Sequence, residues 1–232
     1  MFAHAVTSDR GLARELSVAR AQLASQARQI QELNHRIANS LQLAADMLVF
    51  EQLRSRDAVA QAALEASRAR LVAVGELHRY LHEHAGEAEV ALRPFFTHLC
   101  EAISASTGLK CALTADATRA PGDMAQQLAI AVNEIAINAA KHAYAGRAGG
   151  QLDVAVRQEG GDLVVTVSDH GPGLGTGRGS GLGMSIIAAI VRDLGGSLTA
   201  RTDDGAHFTI RAPLPAPPVM LNRSFETWNL AD

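Results

Sequence analysis

The chain has 232 residues, of which 47% are hydrophobic and 19% charged, and its formal net charge is −3. These values describe one large or two modest globular domains and give no indication of a nucleic-acid or anionic-membrane partner. Its longest apolar stretches are shorter than the ~20 residues that span a bilayer, and its first residues lack the layout of a secretory signal. Cys100 and Cys111 have no metal-ligand spacing, so we predict reduced thiols and a cytoplasmic protein.

Two long helices are predicted at the start of the chain. Residues 12–54 contain no Pro or Gly and are rich in residues that favour helix. Apolar residues recur there with the heptad spacing of a coiled coil. Asp57 is a candidate N-cap for a second amphipathic helix at 58–82. The pair predicts an antiparallel hairpin, and because one hairpin buries little surface we expect a homodimeric four-helix bundle. The predicted seam consists of Leu16, Ala19, Leu23, Ile30, Leu33 and Ile37.

The rest of the chain predicts an α/β sandwich, so the fold class is α+β. A helix at 92–107 and a strand at 108–116 precede a helix for which Asp123 is a candidate N-cap. Two β-hairpins follow, separated by a glycine-rich segment and by a helix that ends on glycine. This order favours one mixed sheet with its helices on one face. The predicted units are an N-terminal extension (1–15), the hairpin (16–86), the α/β domain (87–214) and a C-terminal tail (215–232), which we expect to be disordered.

The stretch "NEIAINAAKHAY" at 133–144 places polar side chains in an otherwise apolar helix. Glu134, Asn138, Lys141 and His142 follow each other at i, i+4, i+7 and i+8, which at 100° per residue places them within about one quadrant of a helix. Taken alone, a face of mixed charge is more often solvated surface than a site. The neighbouring flank, which we expect to face a core, carries Leu128, Val132, Ile135 and Ala139.

The segment "GPGLGTGRGSGLG" at 171–183 has glycine at every second position, directly after a predicted strand and before a predicted helix. Because glycine has no side chain, the backbone N–H groups of this segment could turn toward an anion, and the dipole of the following helix would favour the negative charge. The segment matches neither the P-loop nor the dinucleotide fingerprint. Taken alone, it could equally be a flexible surface loop.

Four segments together resemble a known superfamily. "NEIAINAAKHAY", "SDHGPGL", "GSGLGMSII" and "DDGAHFTI" occur in this order and resemble the N, G1 and G2 boxes and the closing G-x-x-F strand of the GHKL ATPases, which have the Bergerat fold. The resemblance implies that the domain binds ATP with Mg²⁺. It implies that Glu134 and Asn138 organise the metal ion on the nucleotide, and carboxylate and amide oxygens suit that ion. Lys141 and His142 would then lie near the phosphates and ribose.

The same resemblance assigns roles to the glycine-rich segment. Asp169 would accept a hydrogen bond from the adenine amino group. Arg178 is the cation of this segment that could contact a phosphate. The glycines that would leave room for the purine are Gly171 and Gly173, and those that would turn N–H groups toward the phosphates are Gly179, Gly181 and Gly183.

The N-terminal segment "QELNHRIANSLQLAADMLVFEQLRSRD" resembles the phosphoacceptor helix of sensor histidine kinases of the His-Arg box type. His35 corresponds to their phosphorylated histidine, and the heptad places it at an outward f position. A neutral imidazole there keeps one ring nitrogen free to attack a phosphorus atom. The chain differs from the family box at Asn34, Ala38 and Ser40, where the family has His, Lys and Asn.

The resemblance therefore implies a histidine kinase that autophosphorylates on His35 from ATP and passes the group to an aspartate of a response regulator. One alternative is an ATP-independent phosphotransferase or adaptor, which a short glycine-rich lid and Ala206 would favour. A second is a serine kinase of the anti-sigma-factor type, which would lack the hairpin. The histidines at 78, 82 and 84 share a helical region, but no further ligands complete a metal site.

Overall fold

The computed structural model describes residues 2–83, 89–144, 149–174 and 181–215, with the backbone alone for 2–13 and 83. The predictions for Arg178, Gly179 and most of the C-terminal tail fall outside these ranges. Within them, no helix is both long enough and apolar enough to cross a membrane.

The N-terminal part is a helical hairpin, as predicted. Helix α1 spans Phe2–Arg54 and helix α2 spans Ala58–Glu83. The first helix therefore begins ten residues earlier than predicted. The Asp57 cap is confirmed, because its Oδ1 accepts the N–H of Val59 at 2.9 Å.

Small residues make the closest contact between α1 and α2. Ala38 and Ala45 of α1 are buried, and a Cβ placed on Gly75 of α2 would lie 3.6 Å from the Cβ of Leu41. The predicted heptad seam does not face α2. Leu23 is 65% exposed and Ile30 is 57% exposed in this chain. The seam is therefore available to another molecule.

A five-stranded mixed sheet forms the second part. The strand order is β2-β4-β5-β7-β6, with β2 parallel to β4 and every other pair antiparallel. Alternate residues of its central strands are buried on one face, against three helices. The prediction of one mixed sheet covered on one face is confirmed. The elements are α3 (Leu92–Thr107), β2 (Lys110–Ala115), α4 (Gly122–Asn138), β4 (Gln151–Glu159), β5 (Asp162–Asp169), α5 (Leu182–Asp193), β6 (Ser197–Thr202) and β7 (Ala206–Pro213).

A second, two-stranded sheet was not predicted. Strands β1 (Glu89–Ala91) and β3 (Arg119–Pro121) pair antiparallel and flank α3 and α4. Three residues are too few for the alternation that identifies a strand in a sequence. Pro121 then precedes α4 in the N-cap position.

The Asp123 N-cap prediction is wrong. Helix α4 begins at Gly122, and the residue in the N-cap position, Pro121, makes no side-chain cap bond. Asp123 lies in the first turn, where its Oδ1 accepts the N–H of Met124 at 2.8 Å. The carboxylate still favours the helix N-terminus through the helix dipole. The glycine stop after α5 is confirmed, because Gly195 has φ +63 and donates its N–H to the carbonyl of Arg192.

Candidate functional site

The polar side chains of α4 are buried to very different degrees. Glu134 is 1% exposed, Asn138 is half-buried, and Lys141 and His142 are exposed. The α-helix ends at Asn138 and continues as a π-helical turn, in which the N–H of Tyr144 bonds the carbonyl of Ala139. A π turn holds more residues than an α turn, so the regular 100° spacing fails beyond Asn138. The interpretation as a purely solvated face is wrong for Glu134, while the apolar flank is buried as predicted.

Glu134 has one satisfied and one unsatisfied oxygen. Its Oε1 accepts a hydrogen bond from Nε of Arg70, at 2.5 Å, across 64 residues of chain. Its Oε2 is buried and has no hydrogen-bond partner among the described residues. Because an unsatisfied buried carboxylate oxygen is costly, this atom marks a place where a ligand, water or ion completes the site.

The N-terminus of α5 approaches this oxygen. A Cβ on Gly183 would lie 2.7 Å from Oε2 of Glu134 and 3.5 Å from Nδ2 of Asn138. Gly181 occupies the N-cap position of α5, so the first free N–H groups of that helix begin next to the carboxylate and the amide. The structure thus brings the end of α4 and the start of α5 together. A hard cation fits this donor set, with Glu134 and Asn138 as the residues that would hold it through oxygen atoms.

Asp169 ends β5 and is buried, with 5% exposure. Its Oδ1 accepts two backbone hydrogen bonds, from Gly171 at 2.9 Å and Ala206 at 3.2 Å. Gly205, with φ +134, lies so close that a Cβ would meet the Asp169 carbonyl oxygen at 1.8 Å. Both the close approach and the left-handed backbone require glycine at position 205. These contacts fix the direction in which the carboxyl group points.

The glycines at 171 and 173 make room for protein atoms. A Cβ on Gly171 would lie 2.4 Å from the Cβ of Ala143, and one on Gly173 would lie 2.3 Å from Cγ2 of Thr202. The π turn is therefore packed directly against the segment that follows β5. Packing against protein atoms therefore requires both glycines, whereas the sequence resemblance had assigned them only the role of leaving room for the purine.

Tyr144 ties the same region together and was not singled out from the sequence. Its hydroxyl donates to the carbonyl of Gln151 and accepts the N–H of His170, both at 2.8 Å. His170 Nε2 lies 2.7 Å from Oδ2 of Asp153 on the neighbouring strand. The sequence signal for Tyr144 was its position at the end of "NEIAINAAKHAY", but its partners depend on the tertiary fold.

His35 is exposed on α1, as predicted. It lines a small pocket with Gln31 and Asn34 of its own helix and with Arg79 and His82 of α2. Nδ2 of Asn34 lies 2.7 Å from Nδ1 of His82. The pocket therefore combines a candidate phosphoacceptor with a guanidinium group on the facing helix.

Two further histidines of α2 lie close to one another. The ring centroids of His78 and His82 are 4.3 Å apart. Desolvation lowers the pKa of His78, with a further contribution from His82, and desolvation lowers the pKa of His82. Both rings are therefore neutral at pH 7. His84, the third member of the histidine group, lies outside the described residues, and no group of three potential metal ligands occurs within them.

The structure does not bring His35 next to Glu134. Arg70, which binds Glu134, and Arg79, which shares the pocket of His35, are nine residues apart on α2. Nine residues correspond to about 14 Å along a helix and to about half a turn around it. The two predicted centres of chemistry therefore lie at different levels and on different sides of α2.

Comparison with known proteins identifies both parts of the chain. A histidine kinase family model matches residues 32–107. The family model of the histidine kinase-, DNA gyrase B- and HSP90-like ATPases matches residues 124–216. Together the two matches cover both the hairpin with His35 and the sandwich with Glu134 and Asp169.

Individual relatives agree with these family matches. The blue-light-activated histidine kinase 2 of Erythrobacter litoralis is 29% identical over 81% of this chain and 57% of its own length. The sensor histidine kinase PdtaS of Mycobacterium tuberculosis is 26% identical over 80% of this chain and 39% of its own length. This chain thus spans about two fifths to three fifths of those relatives.

A solved structure shares the fold. The histidine kinase domain of the EL346 blue-light-activated histidine kinase of Erythrobacter litoralis superposes with a TM-score of 0.58. The match has 24% identity and covers 81% of this chain and 92% of that one. The arrangement of hairpin and sandwich is therefore one that an experimental structure also contains.

Proposed function

The chain is the core of a sensor histidine kinase, and we propose that it transfers the γ-phosphoryl group of ATP to His35. The observation that carries this proposal is the buried Oε2 of Glu134, which has no hydrogen-bond partner among the described residues and lies beside Gly183 at the start of α5. That oxygen lies in the ATPase-like domain, and the same chain exposes His35 on α1. Both observations support a phosphoryl transfer in which the first site would bind the donor and His35 would be the acceptor.

The nucleotide site would be built from the C-terminal end of α4, the N-terminal end of α5 and the end of β5. Asp169, which is held by the N–H groups of Gly171 and Ala206, would accept a hydrogen bond from the adenine amino group. Glu134 and Asn138 would hold Mg²⁺, which neutralises phosphate charge as the phosphoryl group moves. Lys141, whose charge interacts with that of Glu134, would contact phosphate.

The acceptor chemistry needs only His35 and a correctly placed nucleotide. One neutral ring nitrogen attacks the γ-phosphorus, an N–P bond forms, the bond to the β,γ-bridging oxygen breaks, and ADP leaves. The proton on the other ring nitrogen can pass to solvent. Such transfer depends on positioning and charge neutralisation more than on covalent help from the protein.

Partners follow from the same proposal. Phosphohistidine would pass its group to an aspartate of a response regulator that docks on the hairpin near His35. A homodimer would form through the exposed apolar residues of α1, because a long row of exposed Leu and Ile side chains is unusual on a monomer surface.

The test is incubation with radiolabelled ATP and Mg²⁺. The wild-type chain should acquire an acid-labile phosphate, and His35→Ala should remove all of it. The matched control is His98→Ala, a partly exposed histidine of α3 outside both the pocket of His35 and the nucleotide site, and this variant should still be labelled on His35. Full labelling of His35→Ala would show that another residue is the nucleophile.

An ATP-independent phosphotransferase is the alternative that one observation favours. Arg70 already occupies Oε1 of Glu134, so the centre is partly filled by the protein's own side chain. Calorimetry with a non-hydrolysable ATP analogue and Mg²⁺ distinguishes the two functions. Binding with one nucleotide per chain supports the kinase, and absence of binding supports the relay.

A further inference from the structure

A charged pair joins the hairpin to the nucleotide domain. Nε of Arg70 on α2 lies 2.5 Å from Oε1 of Glu134 on α4. The Arg70 side chain is 21% exposed and the Glu134 side chain 1% exposed. An ionised carboxylate this deeply buried requires a counter-charge, and in this arrangement the hairpin supplies it.

The apolar contact around this pair is small. Ala66 and Ala69 of α2 form a buried cluster with Ile137 of α4, about one helical turn from the charged pair. Two alanines and one isoleucine bury little surface, so the ion pair contributes much of the local specificity. Farther along α2, Leu77 belongs to the main core of the sandwich. Opening of the contact between Arg70 and Glu134 would therefore leave the contact of Leu77 with the sandwich core in place.

Other charges gather at the same place. Desolvation lowers the pKa of Lys141, and the positive charge of Arg70 lowers it further, while Glu134 and Glu65 act in the opposite direction. The positive charges of Arg70 and Lys141 therefore both act on the buried carboxylate of Glu134. A divalent cation bound at Oε2 would be repelled by Arg70 and would compete with it for the charge of Glu134.

The arrangement in which Glu134 is bound to Arg70 also separates the nucleotide centre from His35. Arg70 holds Glu134 about 14 Å along α2 from the level of Arg79 and on the opposite side of the helix. His35 shares its pocket with Arg79. Near-attack geometry needs the reacting atoms within about 3.5 Å, so a phosphoryl group held close to Glu134 is not positioned for transfer to His35 of the same chain while Glu134 remains on Arg70.

We propose that Arg70 is a positioning residue of the kinase, which acts through Glu134 to hold the nucleotide domain in a resting arrangement. In that arrangement Mg²⁺·nucleotide binds weakly and transfer to His35 is slow. The inference rests on the proposed function, since it assumes that Glu134 serves the Mg²⁺·nucleotide site. Coupling between two binding events is reciprocal, so Mg²⁺·nucleotide in turn loosens the contact between Arg70 and Glu134.

The test compares Arg70→Ala with Arg68→Ala in the whole chain. Arg68 is a matched control because it lies on the same helix and pairs with Glu65 of that helix at 2.6 Å. By calorimetry, Arg70→Ala should bind a non-hydrolysable ATP analogue with Mg²⁺ about tenfold more tightly than wild type, within the usual range of such couplings. Without Mg²⁺ the two should bind equally. Arg68→Ala should match wild type in both conditions.

Hydrogen exchange is a readout that does not depend on kinase activity. Hydrogen exchange at residues 66–74 should accelerate in Arg70→Ala, and in wild type on addition of Mg²⁺ with the analogue, but not with the analogue and EDTA. Arg70→Lys keeps the charge and should restore slower exchange and weaker Mg²⁺·nucleotide binding. At subsaturating Mg²⁺, label on His35 should rise severalfold in Arg70→Ala and converge toward wild type at saturation.

The outcomes separate this inference from the proposed function. If wild type binds no Mg²⁺·nucleotide, or if its label survives His35→Ala, the proposed function fails. If wild type binds and labels His35, but Arg70→Ala has unchanged or weaker Mg²⁺·nucleotide binding, then Arg70 is not a resting-state positioning residue. If the alanine variant does not fold, Arg70→Gln, which removes the positive charge but keeps a hydrogen-bond donor for Glu134, provides the same decision.

Discussion

Glycine at position 183 serves a steric purpose. A Cβ there would meet Oε2 of Glu134 at 2.7 Å, and that carboxylate cannot retreat because Arg70 holds its other oxygen. At Gly181 no atom of the described residues lies within 4 Å of a Cβ. The alternating glycines look equivalent in the sequence, but in the fold Gly171, Gly173 and Gly183 each lie against a different neighbour.

Gly183→Ala should therefore weaken nucleotide binding, whereas Gly181→Ala should not. The added methyl group occupies the space between α5 and Glu134, and we expect a loss of at least about tenfold in affinity for Mg²⁺·nucleotide, equivalent to about 1.4 kcal/mol. Gly181→Ala keeps the backbone N–H and has open space for its methyl group. Calorimetry on both variants measures the difference, and equal affinities would contradict the steric role of Gly183.

Elements were predictable where a regular repeat extends over many residues. The heptad pattern of α1 and the alternation of β4 and β5 identified those elements because the direction in which a side chain points follows the repeat of the helix or strand. The π turn was not predictable, since it depends on the packing of Ala143 against Gly171 and on the hydroxyl of Tyr144. Likewise, the sequence could not show that Pro121, rather than Asp123, would precede α4, because the short pairing of β1 with β3 sets the helix start.

Two histidines of helix α2 should make the stability of the folded protein depend on pH. Burial lowers the pKa of His78 and His82, so below the ordinary value of about 6.5 the unfolded state binds more protons than the folded state. Stability should therefore fall as the pH drops from about 7.5 to about 5.5. The double variant His78→Gln, His82→Gln should have a flatter profile of melting temperature in this window. Parallel profiles for the two proteins would show that these histidines are not responsible.

At the scale of the whole molecule, the exposed face of α1 is the largest feature that one chain leaves unexplained. Leu16, Leu23, Ile30 and Ile37 are all roughly half exposed or more, whereas Ala38 and Ala45 make the contact within the chain. The two sets lie on different faces of the same helix. A second copy that covers the Leu and Ile face would complete a four-helix bundle.

Leu23→Glu combined with Ile30→Glu should dissociate that dimer. Two buried charges without partners would oppose the packing of the seam, so we expect the monomer at micromolar protein concentration. The control is Ala21→Glu, which adds a charge at an f position of the heptad and should leave the dimer intact. Light scattering after gel filtration gives the mass directly. A dimeric double variant would mean that the seam is not the interface.

By itself the sequence determined the class of the fold and the two-part organisation, and it indicated candidate residues for nucleotide and phosphoacceptor chemistry. Those features depend on local periodicity and on motifs whose members lie within a few residues of each other. Only the tertiary structure decided that Arg70 binds Glu134, that Asp169 receives two backbone N–H groups, and that His35 lies away from the nucleotide centre. Each of those facts joins segments that are distant along the chain, and pairing of that kind is set by how the elements pack together.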